Sequence, residues 1–254
     1  MSSDALVERR LPLSSLPPEV FAALLALADD ELVLGHRHSQ WLGLSPFLEE
    51  DLTMASISQD EMGHARALYA CLWPDWVDRE ADVVRRPASE WRSCELVERV
   101  AHSWEWALIR HWVYDTLEPM RWAAIEASFG PQIAGFSTLA AKVAQEERFH
   151  RHHAEQLVIK LGLANPEANA RLQNAVDSVL PLVTTLVAPN QIGEAWSLLR
   201  LVAAKAALEL PPEPPSKTVP ASKDLSGRLL RHAEFAEVHA ALLAVVAVDP
   251  TATW

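Results

Sequence analysis

Two short words, Glu61-Met62-Gly63-His64 and Glu147-Arg148-Phe149-His150, each set a carboxylate three residues before an imidazole, within stretches whose apolar residues recur at helical spacing. Positions i and i+3 share one face of a helix, so each word aims both donors at one point in space. A single word of this kind arises readily by chance. Two can converge on a pair of metal ions, provided that two further helices each bring one carboxylate to the same height.

The elements that must do this are read from periodicity and breakers. Pro17 and Pro18 precede a run from Glu19 to Leu42 in which Leu24, Leu27, Glu31, Leu34 and His38 fall three and four apart, giving helix A. Gly43 and Pro46 break the chain, and Phe47 to Leu72 reads as helix B, followed by a charged connection from Asp75 to Ser89. Helix C is expected over Glu90 to Ser128 with a kink at Pro119, where a backbone donor is lost. Gly130 and Pro131 form the next break, helix D runs from Gly135 to Leu161, and further helices are expected over Pro166 to Leu180, Ile192 to Leu208 and Asp224 to Val246. The run Pro211-Pro212-Glu213-Pro214-Pro215-Ser216-Lys217 reads as a surface connection, since proline favours extended backbone. The fold class is all-α: one domain over 1–254, with a four-helix core at about 19–162 and a C-terminal helical extension at about 163–254.

Bulk properties narrow the functions available. The chain has 254 residues, half of them apolar, enough to bury a substantial core. A net charge of -12 and a pI near 5.3 argue against partners that are nucleic acids or anionic membrane surfaces. Cys71 and Cys94 are too few for a disulfide framework and are not in a CxxC arrangement, so a reducing cytoplasm is expected, and Met1 to Arg10 holds no signal peptide or membrane span. No GxGxxG, GxxxxGK[ST] or GxSxG word occurs, which removes the usual anchors of nucleotide-loop and serine-hydrolase functions.

The two remaining acids are sought by counting outward from the turns. Helices joined by a short loop run antiparallel, and Glu61 lies about sixteen residues past the turn near Leu44 and Ser45, a distance that counts back to the stretch around Glu31. Asp29 and Asp30 compete but have a poorer helical phase. Counting about sixteen residues either side of Pro131 pairs Glu147 with Asp115; His111 and Glu118 lie one turn away as reserves, and Glu105 is too far along. The candidate set is Glu31, Glu61, His64, Asp115, Glu147 and His150. Four carboxylates largely neutralise two divalent ions, and oxygen with imidazole donors suits two iron ions, or manganese, better than calcium or structural zinc. The alternative is that the acids lie on solvated faces or pair with residues such as Arg66 and Arg148. His38 is expected on the inner face, where it could donate to a ligand carboxylate. The tryptophans read as core and interface filling.

The words also resemble a known family. Gln59-Asp60-Glu61-Met62-Gly63-His64, Gln145-Glu146-Glu147-Arg148-Phe149-His150, Trp112-Val113-Tyr114-Asp115 and Glu31-Leu32-Val33 resemble the metal-bearing segments of the phenylacetic acid catabolic protein family, whose catalytic members are ring-epoxidising di-iron oxygenase subunits. The surroundings, including Ala28-Asp29-Asp30-Glu31, Gln40-Trp41-Leu42-Gly43 and Leu48-Glu49-Glu50-Asp51-Leu52, look more like the structural subunits of the same family. The resemblance spans Leu24 to Gly162 and implies a ferritin-like bundle. Structural subunits typically lack a complete ligand set, whereas this chain keeps all six positions, which favours a metal-bearing oxygenase.

That resemblance implies dioxygen activation for epoxidation, hydroxylation or oxidative desaturation of a small apolar or aromatic substrate, with a coenzyme A thioester as one form of it. Glu61 and Glu147 would bridge the ions, His64 and His150 would be terminal, and Glu31 and Asp115 would complete the shells. With no flavin fingerprint and no cysteine cluster, electrons must come from an external reductase. Partnership with a paralogous subunit or a second copy is the expected assembly. Nothing in the sequence singles out a coenzyme A pocket; Arg37, Arg151 and Lys160 are the basic residues available. The alternatives are a non-catalytic accessory subunit of a multicomponent oxygenase, a ferroxidase and a manganese catalase.

Overall fold

The computed structural model describes Leu11 and residues 14–73, 80–214, 228 and 231–248. It is all-α, with no strand among the described residues. Four long helices form the frame: α1 (Pro18–Ser39), α2 (Leu48–Leu72), α5 (Trp104–Phe129) and α6 (Phe136–Gly162). The short helices α3 (Glu80–Val84) and α4 (Glu95–Glu98) lie between α2 and α5; α7 (Pro166–Val179), α8 (Val183–Leu186), α9 (Ile192–Lys205) and α10 (Phe235–Val248) follow α6. No described helix is long and apolar enough to cross a membrane.

The long helices pair as two hairpins, α1 with α2 and α5 with α6. Each turn contains a glycine in the left-handed region, Gly43 at φ 76° and Gly135 at φ 77°, where an ordinary side chain would be strained. Between α1 and α2 a third glycine matters for a different reason. A Cβ at Gly35 would lie 3.0 Å from the Ser58 carbonyl oxygen and 3.1 Å from Glu61 Cβ, and Ser58 Oγ donates to the Gly35 carbonyl at 2.7 Å. The helices meet backbone to backbone one turn beyond Glu31, which fixes how near Glu31 can come to Glu61.

Several boundaries differ from expectation. Helix α1 ends at Ser39, short of Leu42, and the segment expected to begin helix C at Glu90 does not join it. Residues 88–98 instead form a short 3-10 turn and α4, because the backbone N–H groups of Arg92 and Cys94 donate to Asp29 Oδ2 at 2.7 Å and Asp30 Oδ1 at 2.6 Å. Side-chain acceptors thereby compete with helical carbonyls. Helix α5 starts only where Ser103 caps it, its Oγ accepting from the Trp106 N–H at 3.2 Å. Pro119 sits inside α5 without ending it. The last helix begins at Phe235; the expected start near Asp224 and the second half of the proline-rich run lie outside the described residues.

Two apolar clusters are stacked along the frame. One contains Leu24, Leu27, Ala28, Ala65, Leu68, Trp122, Ile125 and Val143 among others; the second contains Val33, Leu34, Leu108, Trp112, Leu117, Ala154 and Val158, and continues through α7, α9 and α10. Along α1, α5 and α6 the handover falls between Ala28 and Val33, between Leu117 and Trp122, and between Val143 and Ala154. Polar residues fill those gaps at one level of the bundle.

Candidate metal centre

That level holds Glu31 from α1, Glu61 and His64 from α2, Glu118 from α5, and Glu147 and His150 from α6, all at most 3% exposed. Their donor atoms form three overlapping groups with every atom within 4.8 Å: Glu31 with Glu61 and His64, Glu61 with Glu147 and His150, and His64 with Glu118 and Glu147. The two words face each other, with imidazole centroids 6.3 Å apart.

The two histidines have matching surroundings. His64 Nδ1 points inward, 3.6 Å from Glu31, 3.8 Å from Glu61 and 3.3 Å from Glu147; His150 Nδ1 lies 3.2 Å from Glu147 and 3.7 Å from Glu61. On the outer side His64 Nε2 meets Glu146 Oε2 at 3.0 Å, and His150 Nε2 meets Asp60 Oδ2 at 3.2 Å. Each ring is thus held by the acid that precedes the glutamate of the opposite word. A carboxylate on Nε2 places the proton there and leaves Nδ1 bare, the tautomer that a metal ligand requires. Asp60 and Glu146 were not singled out in the sequence, yet both words carry the same extended pattern, Gln-acid-Glu-x-x-His.

Asp115, the acid given by the count, is fully buried with neither oxygen hydrogen-bonded; it belongs to none of the three donor groups, and its Oδ2 lies 2.6 Å from His111 Nε2. The turn also brings a second α5 acid to the centre. Residues 130–132 form a 3-10 turn and Gly135 starts α6, so the midpoint between Phe129 and Phe136 lies beyond Pro131. The level of Glu147 therefore meets Glu118, one helical turn further along α5 than Asp115. Glu105, by contrast, pairs with Arg171 at 2.6 Å.

The three consecutive acids of α1 point in three directions. Asp29 accepts from Tyr69 Oη and from Arg86 Nη2, each at 2.5 Å; Asp30 accepts from Arg121 Nη2 at 2.6 Å and Arg228 Nη1 at 2.5 Å. Both are neutralised by buried guanidinium groups away from the centre. Glu31 alone has no cationic side chain of this kind, and it accepts from Tyr114 Oη at 3.0 Å.

His38 does not donate to a ligand carboxylate. Both its nitrogens lack hydrogen bonds, its ring lies 5.0 Å from that of His111, and burial holds its pKa well below the usual imidazole value. Among the basic residues considered for an anionic substrate, Arg37 is buried and donates to the Glu98 carbonyl at 2.6 Å, while Lys160 is exposed. Arg151 lines a shallow groove on the outer face of α6 with Arg148, Phe149, His152 and Glu155.

Electrostatics make the centre a place where positive charge is favoured. Burial, reinforced by Glu61, pushes the Glu31 carboxyl well above the usual range; burial with Glu147 and Glu31 does the same to Glu118, and burial with Glu147 to Asp115. Burial opposes charge on both histidines, but Glu147, Glu31 and Glu61 outweigh it for His64, and Glu147 and Glu61 raise His150 to about 12. Glu147 is held below the carboxylate range despite its burial, because His150 and His64 face it. Protons are therefore retained where positive charge is needed.

Both oxygens of Glu61, Glu147 and Asp115, Oε2 of Glu31 and of Glu118, and Nδ1 of His64 and His150 have no hydrogen bond of acceptable geometry. Leaving so many buried polar atoms without aligned partners is costly. A pair of divalent cations would satisfy all of them, and the donors, carboxylate oxygen and imidazole nitrogen without a thiolate, fit iron or manganese.

Comparison with known proteins agrees with the architecture. The family model described as Phenylacetic acid catabolic protein matches residues 14–254. The chain is 26% identical over 181 residues to a subunit of the 1,2-phenylacetyl-CoA epoxidase of Escherichia coli (strain K12), covering 70% of this chain and 72% of that protein. With nearly its whole length matched by that model, the chain belongs to the phenylacetic acid catabolic protein family.

Proposed function

We propose that this chain is the dioxygen-activating subunit of a phenylacetyl-CoA epoxidase type of oxygenase, with two iron ions held by Glu31, Glu61, His64, Glu147 and His150 and by a carboxylate of α5. On α5 we take Glu118, whose Oε2 is in reach of Glu147 and His64, as the sixth donor; Asp115, the acid given by the sequence count, also has both oxygens buried without a hydrogen bond and is its rival. The observation that carries this reading is the set of buried carboxylate and imidazole atoms directed at one another without aligned hydrogen bonds. When bound, a reduced di-iron pair supplies the electrons that activate dioxygen for insertion into an apolar or aromatic substrate.

The protein's own residues do the rest. Asp60 and Glu146 keep the imidazole Nδ1 atoms turned inward, the apolar clusters above and below exclude water, and the carboxylates release protons as cations enter. The substrate class follows from the relative's name: an aromatic acyl-coenzyme A thioester. Electrons come from a separate reductase, and the chain works beside a paralogous subunit.

A second reading is favoured by one observation, that the relative is named as one subunit of its epoxidase and not as the whole enzyme. In that reading the chain is an accessory subunit that contributes interface and no chemistry. Metal analysis of anaerobically purified protein separates the two: about two irons per chain is expected for the dinuclear centre. Replacing Glu61 or His150 with Ala should remove the metal and the turnover together. Turnover surviving both changes, or a wild-type chain that takes up no metal, would sink the assignment.

A further inference from the structure

The four glutamates of the centre differ in how many of their oxygens are already engaged. Glu31 has Oε1 on the Tyr114 hydroxyl at 3.0 Å and Oε2 without a hydrogen bond. Glu118 repeats the pattern, with Oε1 accepting from Trp122 Nε1 at 2.5 Å and Oε2 without one. Glu61 and Glu147 have neither oxygen engaged. The free oxygen of Glu31 faces the centre, 3.6 Å from His64 Nδ1.

We propose that Tyr114 and Trp122 set the binding mode of the centre, each holding back one oxygen of a glutamate, so that Glu31 and Glu118 would each offer a cation one free oxygen where Glu61 and Glu147 would offer two. The inference rests on the dinuclear reading and deepens it. Both donors project from α5, four residues before and four after Glu118. Tyr114 crosses to α1, and Trp122 returns to its own helix.

Neither donor is free to let go. The Tyr114 oxygen accepts from Arg121 Nη1 at 3.1 Å, Arg121 Nη2 is anchored on Asp30 at 2.6 Å, and the guanidinium carbon lies 5.8 Å from the Tyr114 ring centroid. Turning Glu31 to present both oxygens would strand a fully buried hydroxyl. Trp122 is fixed by stacking on Phe136, with centroids 5.4 Å apart and planes 20° apart. The neighbour of Glu31 in sequence, Asp30, therefore acts on it through Arg121 and Tyr114. These are positioning residues, and they act on the ligands' orientation.

The test uses the full chain loaded anaerobically with iron-57 and read by Mössbauer spectroscopy and metal titration. Tyr114→Phe should keep both irons but change the quadrupole splitting of the site that Glu31 serves and weaken metal binding about tenfold; Trp122→Phe should do the same for the site that Glu118 serves. Tyr69→Phe, which removes a buried hydroxyl from Asp29 away from the centre, should leave both signals as in the wild type. Incorporation of 3-fluorotyrosine at position 114 keeps the shape while altering donor strength, and should shift the same site as Tyr114→Phe even where the latter folds poorly. Wild-type protein that binds no iron overturns the dinuclear reading and this inference with it. Wild-type protein that binds iron, with spectra and affinities unchanged in the position 114 and 122 variants or changed equally by Tyr69→Phe, overturns this inference alone.

Discussion

Asp60 Oδ2 lies 3.2 Å from His150 Nε2, across 90 residues of chain, and Glu146 returns the same contact to His64. The acid preceding each glutamate ligand orients the histidine of the other word, so the two words are interlocked and neither histidine is set by its own helix alone. Asp60→Asn and Glu146→Gln should each weaken metal binding by about tenfold, the low end of the usual range for outer partners because both acids are partly exposed. Metal titration with a competing chelator reads this directly. Affinity unchanged in both variants would show that the contacts do not orient the rings.

The choice between the α5 acids is equally direct. Glu118→Gln should lower metal content from two ions toward one or none, a larger loss than the roughly 10- to 100-fold carried by outer partners. Asp115→Asn should keep both ions, since Asp115 contacts His111 and joins none of the donor groups. Elemental analysis of the two variants side by side decides it, and the reverse ranking would return Asp115 to the ligand set.

Periodicity and breakers made the helical class and the two hairpins legible, and i, i+3 spacing made each Glu face its own His. Three features depended on information that local pattern does not carry. The α5 level hinged on the turn at residues 130–135, where a 3-10 segment and a left-handed glycine displace the midpoint enough to bring Glu118 level with Glu147. Asp29 and Asp30 looked like rivals of Glu31 because their partners, Arg86, Arg92, Cys94, Arg121 and Arg228, are distant in sequence. Those same bonds broke the expected long helix C into pieces. Asp60 and Glu146 gain their role only once α2 and α6 are face to face.

Gly35 sets the spacing of α1 and α2 beside Glu31 and Glu61. A methyl group there meets the Ser58 carbonyl at 3.0 Å, and a backbone atom inside a helix yields less readily than a side-chain end. Gly35→Ala should gain up to about 1 kcal/mol of helix propensity and lose about 1–3 kcal/mol to overpacking, a net loss of roughly 1 kcal/mol. Urea unfolding of the metal-free protein measures it. Metal affinity should fall as well, because the displacement separates Glu31 from Glu61; a stabilised variant with normal affinity would contradict the close-approach argument.

His111 gives the stability a pH dependence of defined sign. It is fully buried, and burial followed by the nearby His150 depresses its pKa to about 3 from an ordinary value of 6.5. The unfolded chain therefore binds a proton below pH 6.5 that the folded chain refuses until about pH 3, so this residue's contribution to stability falls as pH falls through that window. The buried acids Glu31, Glu118 and Asp115, with raised pKa values, act in the opposite sense, so the comparison has to be made between variants. In metal-free protein, His111→Gln removes the imidazole while retaining an amide donor and acceptor. Between pH 7 and pH 4 the stability difference should move in favour of the variant by about 3 kcal/mol, the integral of the missing protonation. Parallel unfolding curves for the two proteins across that range would mean that His111 is protonated in the folded chain, which is incompatible with its closed setting between His38 and His153.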